Sequence, residues 1–318
     1  MSPTPRSALV TGGAGFIGGH LVEGLLREGW RVRVLDDFSS GRDANLVEAA
    51  ESIELVRGDI RDAETVDRAA EGVEVVFHQA AVPSVPRSVA EPLRTNSVNL
   101  DGTLRVLESA RRAGVRRVVY AASSSAYGNT RVLPKVETMP AMPRSPYALQ
   151  KYAGETYCRL YTELYGLETV ALRYFNVYGP RQDPASEYSA VIPRFLTACL
   201  KGEAPLVFGD GEQSRDFVFV EDVVRANLLA ADAERASGVS VNVASGRSTT
   251  LNALLEAIIE LTAASVSPRH DAARPGDVRE SVADLSRAKE LLGYLPEVEL
   301  REGLVRTFEY LRKHQEGE

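Results

Sequence analysis

The sequence predicts an α/β protein, a doubly wound parallel sheet with a smaller C-terminal domain. Three observations carry this. Strand-like and helix-like patterns alternate from residue 7 to about residue 175. A glycine-rich turn, Gly12-Gly-Ala-Gly15-Phe-Ile-Gly18, stands between the first strand pattern and the first helix pattern. Late in the alternation Tyr147 and Lys151 fall one helical turn apart.

Ser7–Thr11 is a short, mostly apolar run and reads as a buried strand. Glycines at 12, 15 and 18 let the backbone turn tightly, approach a pyrophosphate and pack the next helix on the sheet. The phosphates would then meet a helix N-terminus, whose free N–H groups favour anions, with Phe16 and Ile17 in the same turn. The spacing is GxxGxxG, not the commoner GxGxxG. The helix pattern over 17–28 puts Ile17, Leu21, Leu25 and Leu26 on one face and ends near Gly29. The strand over 31–35 ends in Asp36-Asp37, about twenty residues past the glycines, where an acid binds adenosine ribose hydroxyls. A carboxylate there repels a 2′-phosphate and favours NAD over NADP; Arg42 is near enough in sequence to weigh the other way. Strands over 53–57 and 73–80 lead to Gly58-Asp59-Ile60 and Gln79-Ala80-Ala81, at carboxyl ends where open α/β sheets bind ligands. Asp59 would bond the adenine edge.

Further helices are expected over 62–70, 96–113 and 147–164, and strands over 115–122 and 168–174. After Gly179-Pro180 the pattern loosens. A helix over 190–201, strands over 205–208 and 217–220, and a helix capped by Glu221-Asp222 and reaching about 234 follow. Helices over 250–263, 284–292 and 300–314 complete the chain. Residues 1–179 are expected to form a dinucleotide-binding domain, with segments around 215–245 returning to it. Residues 180–318 would form most of a substrate-binding domain sharing one cleft with it.

The 318 residues suffice for a large core, and 44% apolar with 25% charged residues is a globular composition. A net charge of −7 argues against broad nucleic-acid affinity. No apolar run is long enough to cross a bilayer, and the N-terminus lacks a secretory apolar region. Cys158 and Cys199 lie in helical patterns and read as reduced core residues. The four histidines show no metal-ligand spacing, and His78 reads as structural. A cytoplasmic, metal-free protein is expected.

A phenol and an ammonium four residues apart share a helix face. The cation favours the phenolate, so Tyr147 would act as a base nearer neutral pH than a free tyrosine. The same helix continues through Tyr152, Tyr157 and Tyr161, a stripe that packing alone also produces. The glycine-rich end supplies the cofactor site that such a base would serve.

These motifs resemble the extended short-chain dehydrogenase/reductases, a Rossmann-fold family, and within them the nucleotide-sugar epimerases. The matching stretches are Thr11–Gly18, Asp59-Ile60, Ala121–Gly128, Ser145–Lys151, Arg173–Pro180, Gly211–Val220 and Arg274–Asp277. The resemblance implies NAD at Gly12, Gly15, Gly18, Asp36, Asp59, Asn99, Tyr147, Lys151 and Tyr174. It implies a tightly held NAD that is reduced and reoxidised within each turnover. Tyr147 as phenolate would take the proton of a sugar hydroxyl while hydride leaves the same carbon. Lys151 would lower the tyrosine pKa and hold the nicotinamide ribose. Counting back from Tyr127-Gly128 selects Ser123 among Ser123, Ser124 and Ser125 as the group that bonds the reacting oxygen and relays its proton; Ser124 would contact the sugar.

Related dehydratases carry an Asp-Glu pair after that serine, and related decarboxylases a glutamate. Serines at both positions leave a 4-keto sugar one easy fate, return of the hydride, so a 4-epimerase is predicted. The handle would be a nucleoside diphosphate, usually UDP in the family. Asn176 would bond a diphosphate oxygen or the sugar, Arg215 and Arg274 would supply charge for the diphosphate, and Asp277 would accept from a ribose. Val191 and Phe208 would line a base pocket or serve as plain core. Ser281, at a position that gates sugar size in relatives, would admit an N-acetyl group. UDP-N-acetylglucosamine/galactosamine, with UDP-glucose/galactose as well, are the expected substrates. Arg87, on a loop, leaves a UDP-glucuronate 4-epimerase as an alternative. A simple dehydrogenase and a non-catalytic NAD sensor or scaffold are rival readings, the latter weakened because Tyr147 and Lys151 are both present. Helices 96–113 and 147–164 would pair across a two-fold axis into the four-helix bundle of a homodimer.

Overall fold

A computed structural model describes residues 6–183, 191–273 and 278–315. In chain order the strands are β1 (Ser7–Thr11), β2 (Arg31–Asp36), β3 (Ile53–Arg57), β4 (Val75–His78), β5 (Arg117–Ser123), β6 (Glu168–Tyr174), β7 (Asn176–Tyr178), β8 (Leu206–Phe208), β9 (Ser214–Arg215), β10 (Phe217–Phe219), β11 (Val239–Val243), β12 (Thr249–Thr250) and β13 (Arg269–Asp271). The α-helices are α1 (Phe16–Arg27), α2 (Ala63–Ala70), α3 (Val85–Ala90), α4 (Pro92–Asn96), α5 (Thr103–Arg112), α6 (Pro146–Tyr165), α7 (Val191–Leu200), α8 (Val220–Asp232), α9 (Leu251–Thr262), α10 (Ser286–Leu292) and α11 (Leu300–Gln315).

Seven strands form one sheet in the order β11-β6-β5-β4-β1-β2-β3, every pair parallel. The order reverses between β1 and β4, the switch point where such sheets bind ligands. The period of two divides each central strand between two cores. Ala8, Val10, Val75, Phe77 and Val119 enter one core with α1 and α8; Leu9, Val76, Val118 and Tyr120 enter the other with α2, α5 and α6. Burial on both faces is why these strands read as near-continuous apolar runs. A third core joins α7, α9 and α11 to β7 and β10. Cys158 lies in the second core and Cys199 in the third, both buried and unbridged.

Three expectations change, and one strand is added. The segment carrying Arg87 is helical, not a loop: Ser84 Oγ accepts the Arg87 N–H at 3.1 Å and nucleates α3. The helix expected from 96 begins at Pro92, and Ser97–Gly102 winds as a π-turn before α5. Glu221 and Asp222 do not cap α8, which starts at Val220 without a side-chain cap. Buried Asp222 instead accepts the Glu297 and Val298 N–H groups at 2.8 and 3.1 Å, tying α8 to the C-terminal segment. The alternating run Val239–Val243 forms the edge strand beside β6.

Candidate active site

The first turn after β1 requires glycine at two places. Gly12 has φ +71°, and a Cβ there would sit 2.7 Å from the Ala80 backbone. A Cβ on Gly18 would lie 2.0 Å from the Gly12 carbonyl oxygen. Gly15 is the N-cap of α1 and makes no side-chain capping bond, so the helix N-terminus is left to a ligand. A cavity of about 480 Å³ opens over this turn. Gly12, Gly15, Phe16, Ile17, Gly18, Asp36, Asp37, Asp59, Ile60, Gln79, Ala80, Ala81, Ser123, Tyr147, Lys151 and Tyr174 all line it.

At one end, Asp36 accepts the Ala14 N–H at 2.9 Å and the Phe38 N–H at 2.8 Å; burial pushes its pKa up and those bonds oppose the shift. Asp37 accepts from the Ser39 N–H and hydroxyl. Asp59 is paired with Arg61, which holds its carboxyl below the usual range. Arg42 is ion-paired with Asp183 and Arg57 with Asp43. With Arg42 and Arg57 engaged by carboxylates beside buried Asp36, this end suits a ribose diol better than a 2′-phosphate. The glycine cradle, the uncapped helix start and the Asp36 carboxylate fit NAD.

At the other end, β5 delivers Ser123 and α6 delivers Tyr147 and Lys151. Ser145 starts α6 by accepting the Ala148 N–H at 3.1 Å, with Pro146 in the first turn. The Tyr147 N–H donates to Ser88 Oγ at 3.0 Å. The relief of the phenol expected from Lys151 is set against burial. Burial pushes the phenol up and a hydrogen bond with Ser123 pulls the other way. Lys151 Nζ donates to the Ala121 carbonyl at 2.8 Å, and burial brings its own pKa down to about 8. Ser125 donates its hydroxyl to Ser123 Oγ at 2.9 Å, so the serines are linked rather than equivalent. Ser124 and Ser125 do not line the cavity.

Asn99 also lies outside the lining. Its amide is engaged by Val82, accepting the N–H at 2.7 Å, and by Gln150 Oε1 at 2.9 Å. It therefore braces Val82, which does line the cavity, from behind. Sequence reading missed Asn227 on α8, fully buried, whose Nδ2 donates to the Tyr174 hydroxyl at 2.7 Å while Gln79 Nε2 donates at 3.0 Å.

A second cavity, of about 270 Å³, adjoins the first, with Val177 in both walls. Asn176, Val191, Phe208 and Arg215 line it together with Gln213, Phe195 and Phe217. Asn176 Nδ2 donates to the Asp216 carbonyl at 3.2 Å. Arg87 and Ser281 line neither cavity. Arg87 is held away on α3, and Ser281 lies on a segment anchored by Ser214 N–H to the Arg279 carbonyl and by Ala283 N–H to Asp216 Oδ2. Arg274 and Asp277 lie outside the described residues.

The arrangement places a phenol, a hydroxyl and an ammonium in one cavity with the glycine turn and Asp36, beside a cavity lined by an arginine, an asparagine and aromatic rings. Comparison with known proteins agrees. Residues 8–244 match the NAD dependent epimerase/dehydratase family. The chain is 45% identical to the UDP-glucose 4-epimerase of Mycolicibacterium smegmatis, covering 96% of this chain and 98% of that one. The solved UDP-N-acetylglucosamine 4-epimerase of Methanobrevibacter ruminantium M1 superposes with a TM-score of 0.94 at 39% identity, covering 98% and 99%. The UDP-glucose 4-epimerase of Thermus thermophilus, solved with NAD, gives 0.88 at 37% identity, covering 96% and 99%. Proteins named as a nucleotide-sugar decarboxylase and a dehydratase also match, at 32% and 33% identity. On this site and these likenesses, the chain belongs to the NAD-dependent epimerase/dehydratase family, as an extended short-chain dehydrogenase/reductase that uses NAD.

Proposed function

We propose that this chain, an NAD-dependent UDP-sugar 4-epimerase, interconverts UDP-N-acetylglucosamine with UDP-N-acetylgalactosamine and UDP-glucose with UDP-galactose. One observation carries the reading: Ser123, Tyr147 and Lys151 line the same cavity as the glycine turn, and Val177 joins it to the cavity holding Asn176 and Arg215. Relatives named for each sugar pair support the substrate range. Ser124 and Ser125 offer no carboxyl group for elimination or decarboxylation.

Bound NAD supplies a hydride acceptor and donor at the sugar C4. Tyr147 takes the proton of the C4 hydroxyl, and Ser123 bonds the same oxygen and passes protons through its contact with the phenol. Lys151, held by the Ala121 carbonyl, would place positive charge beside the nicotinamide ribose of NAD and the phenol. Arg215 and Asn176 hold the diphosphate, which leaves the sugar free to turn and present its other face before Tyr147 returns the proton. Arg87 lies in the lining of neither cavity, which favours a neutral hexose over a glucuronate. The chain acts in the cytoplasm, where the separate thiols of Cys158 and Cys199 stay reduced. It works as a homodimer: Leu93 on α4 and Leu149 and Leu164 on α6 are 86%, 55% and 67% exposed, an apolar face that a second copy would cover.

The test is incubation of the purified protein with each UDP-sugar and resolution of epimers by NMR, without added cofactor. Steady NADH release would identify a dehydrogenase, and a tight NAD complex without turnover a sensor. Retention of acetylated-sugar turnover by Ser281→Tyr would remove the gate assigned to that position.

A further inference from the structure

We propose that Tyr120 is a positioning residue for the reaction: the face of its ring keeps the buried Lys151 ammonium charged and so sets the upper pH at which the enzyme works. The proposal rests on the reading that Lys151 serves a UDP-sugar epimerase as a cation. Lys151 is 4% exposed, and no carboxylate among the described residues forms an ion pair with it. Its Nζ donates to the Ala121 carbonyl at 2.8 Å. One neutral acceptor does not offset the water that a buried ammonium loses. The other contact is aromatic: Nζ stands over the Tyr120 ring, 5.0 Å from its centroid. At that range the negative face of a ring attracts a cation, most strongly where water is excluded.

The ring is built into this place. Tyr120 is fully buried on β5, and its hydroxyl reaches the Lys151 carbonyl at 3.4 Å. Gly154 on α6 leaves it room, since a Cβ there would lie 2.4 Å from the Tyr120 hydroxyl oxygen. His78 on β4 packs against the same ring, centroids 5.6 Å apart, and stays neutral, so it adds no competing cation. The acids near Lys151 on its own helix are engaged or uncharged. Glu155 is committed to Arg173 of β6 through bonds at 2.6 and 2.8 Å. Burial pushes up both the Cys158 thiol and the Tyr147 phenol, which favours their neutral forms. Further along α6, Arg159 pairs with Glu163. The elements packed against α6 bring the pairs Glu91–Arg94, Glu108–Arg111, Arg112–Asp67 and Arg117–Glu168, exposed Asp101 and Arg105, and Arg87. None of these acids is ion-paired with Lys151, which leaves the ring face and the Ala121 carbonyl to hold the charge.

The experiment is NMR titration of the NAD-loaded protein carrying isotope-labelled lysine, with the Lys151 signal identified by its loss in Lys151→Met. The wild type is compared with three variants. Tyr120→Phe keeps the ring face and removes the hydroxyl. Tyr120→Leu removes the face. Trifluorophenylalanine in place of Tyr120 keeps the ring's size and drains its negative face. Tyr120→Phe should leave the Lys151 midpoint in place, while Tyr120→Leu and the fluorinated ring should each lower it by about one pH unit and carry the alkaline limb of kcat/KM down with it. The fluorinated ring decides the matter even if Tyr120→Leu does not fold. A midpoint unmoved by fluorination overturns the proposal. So does a fall in Tyr120→Phe as large as in Tyr120→Leu, which would assign the effect to the hydroxyl. A midpoint that falls while the alkaline limb stays overturns the role in turnover. Absence of epimerisation by the wild type removes the UDP-sugar reading, whereas the lysine titration still shows whether the ring holds the charge.

Discussion

At Tyr147 two influences on the phenol compete. The spacing to Lys151 suggested direct electrostatic relief of the phenol, yet the ammonium is committed to the Ala121 carbonyl and burial raises the phenol pKa. Ser123, hydrogen-bonded to the phenol, opposes that rise. Tyr147→Phe should lower kcat by at least about 10²-fold with little change in the melting temperature, a split that separates chemistry from folding. Lys151→Met should weaken NAD binding and move the acidic limb of the kcat/KM profile to higher pH; an unmoved limb would show that the ammonium does not govern the phenol. His78 makes a second residue-scale case. Thr103 Oγ1 donates to the Asn99 carbonyl at 2.7 Å, so it accepts from His78 Nε2 at 2.9 Å, and Nδ1 accepts from Thr11 at 2.7 Å. The ring is a neutral Nε2–H tautomer, with burial bringing its pKa down to about 3. Since the unfolded state binds the proton below about 6.5 and the folded state does not, this group's contribution to stability falls as pH drops from about 6.5 toward 3. Imidazole NMR signals should show no titration of His78 between about pH 5 and 8.

The elements that were legible are those whose pattern is local. The alternation of Arg31–Leu35, the apolar run of Ser7–Thr11 and the glycine spacing of 12, 15 and 18 each state their own structure, because backbone sterics and two-sided burial act within a few residues. Gly12→Ala and Gly18→Ala should each abolish NAD binding while leaving the rest of the sheet folded, as followed by nicotinamide fluorescence and far-UV dichroism. What could not be read was whatever depends on partners distant in sequence. Asn227 matters because it reaches Tyr174, 53 residues away. Asn99, on the π-turn at Ser97–Gly102, bonds Val82 and Gln150, contacts 17 and 51 residues away that the sequence did not announce.

Across the whole molecule, two separate stretches of chain, Ser39–Gly41 and Gln182–Asp183, line the dinucleotide cavity, and the Arg42–Asp183 ion pair links them. Gly179–Asp183 is also pinned to α1, by His20 on the Pro180 carbonyl at 3.0 Å and by Arg181 on Glu23. The same segment begins beside Asn176 and Val177 in the substrate cavity, so the two sites share one short piece of backbone. Occupation of the substrate cavity by UDP should therefore slow NAD release, measured as loss of bound cofactor during dialysis; equal loss with and without UDP would show the sites to be independent. Because the clasp from Arg42 to Asp183 is a charged contact with its arginine 55% exposed, it should weaken in concentrated brine, where screening shortens to about 3 Å at roughly 1 M. An enzyme fastened in this way would be recovered from dilute buffer with its redox partner already aboard, and would need no supply of fresh coenzyme to keep turning.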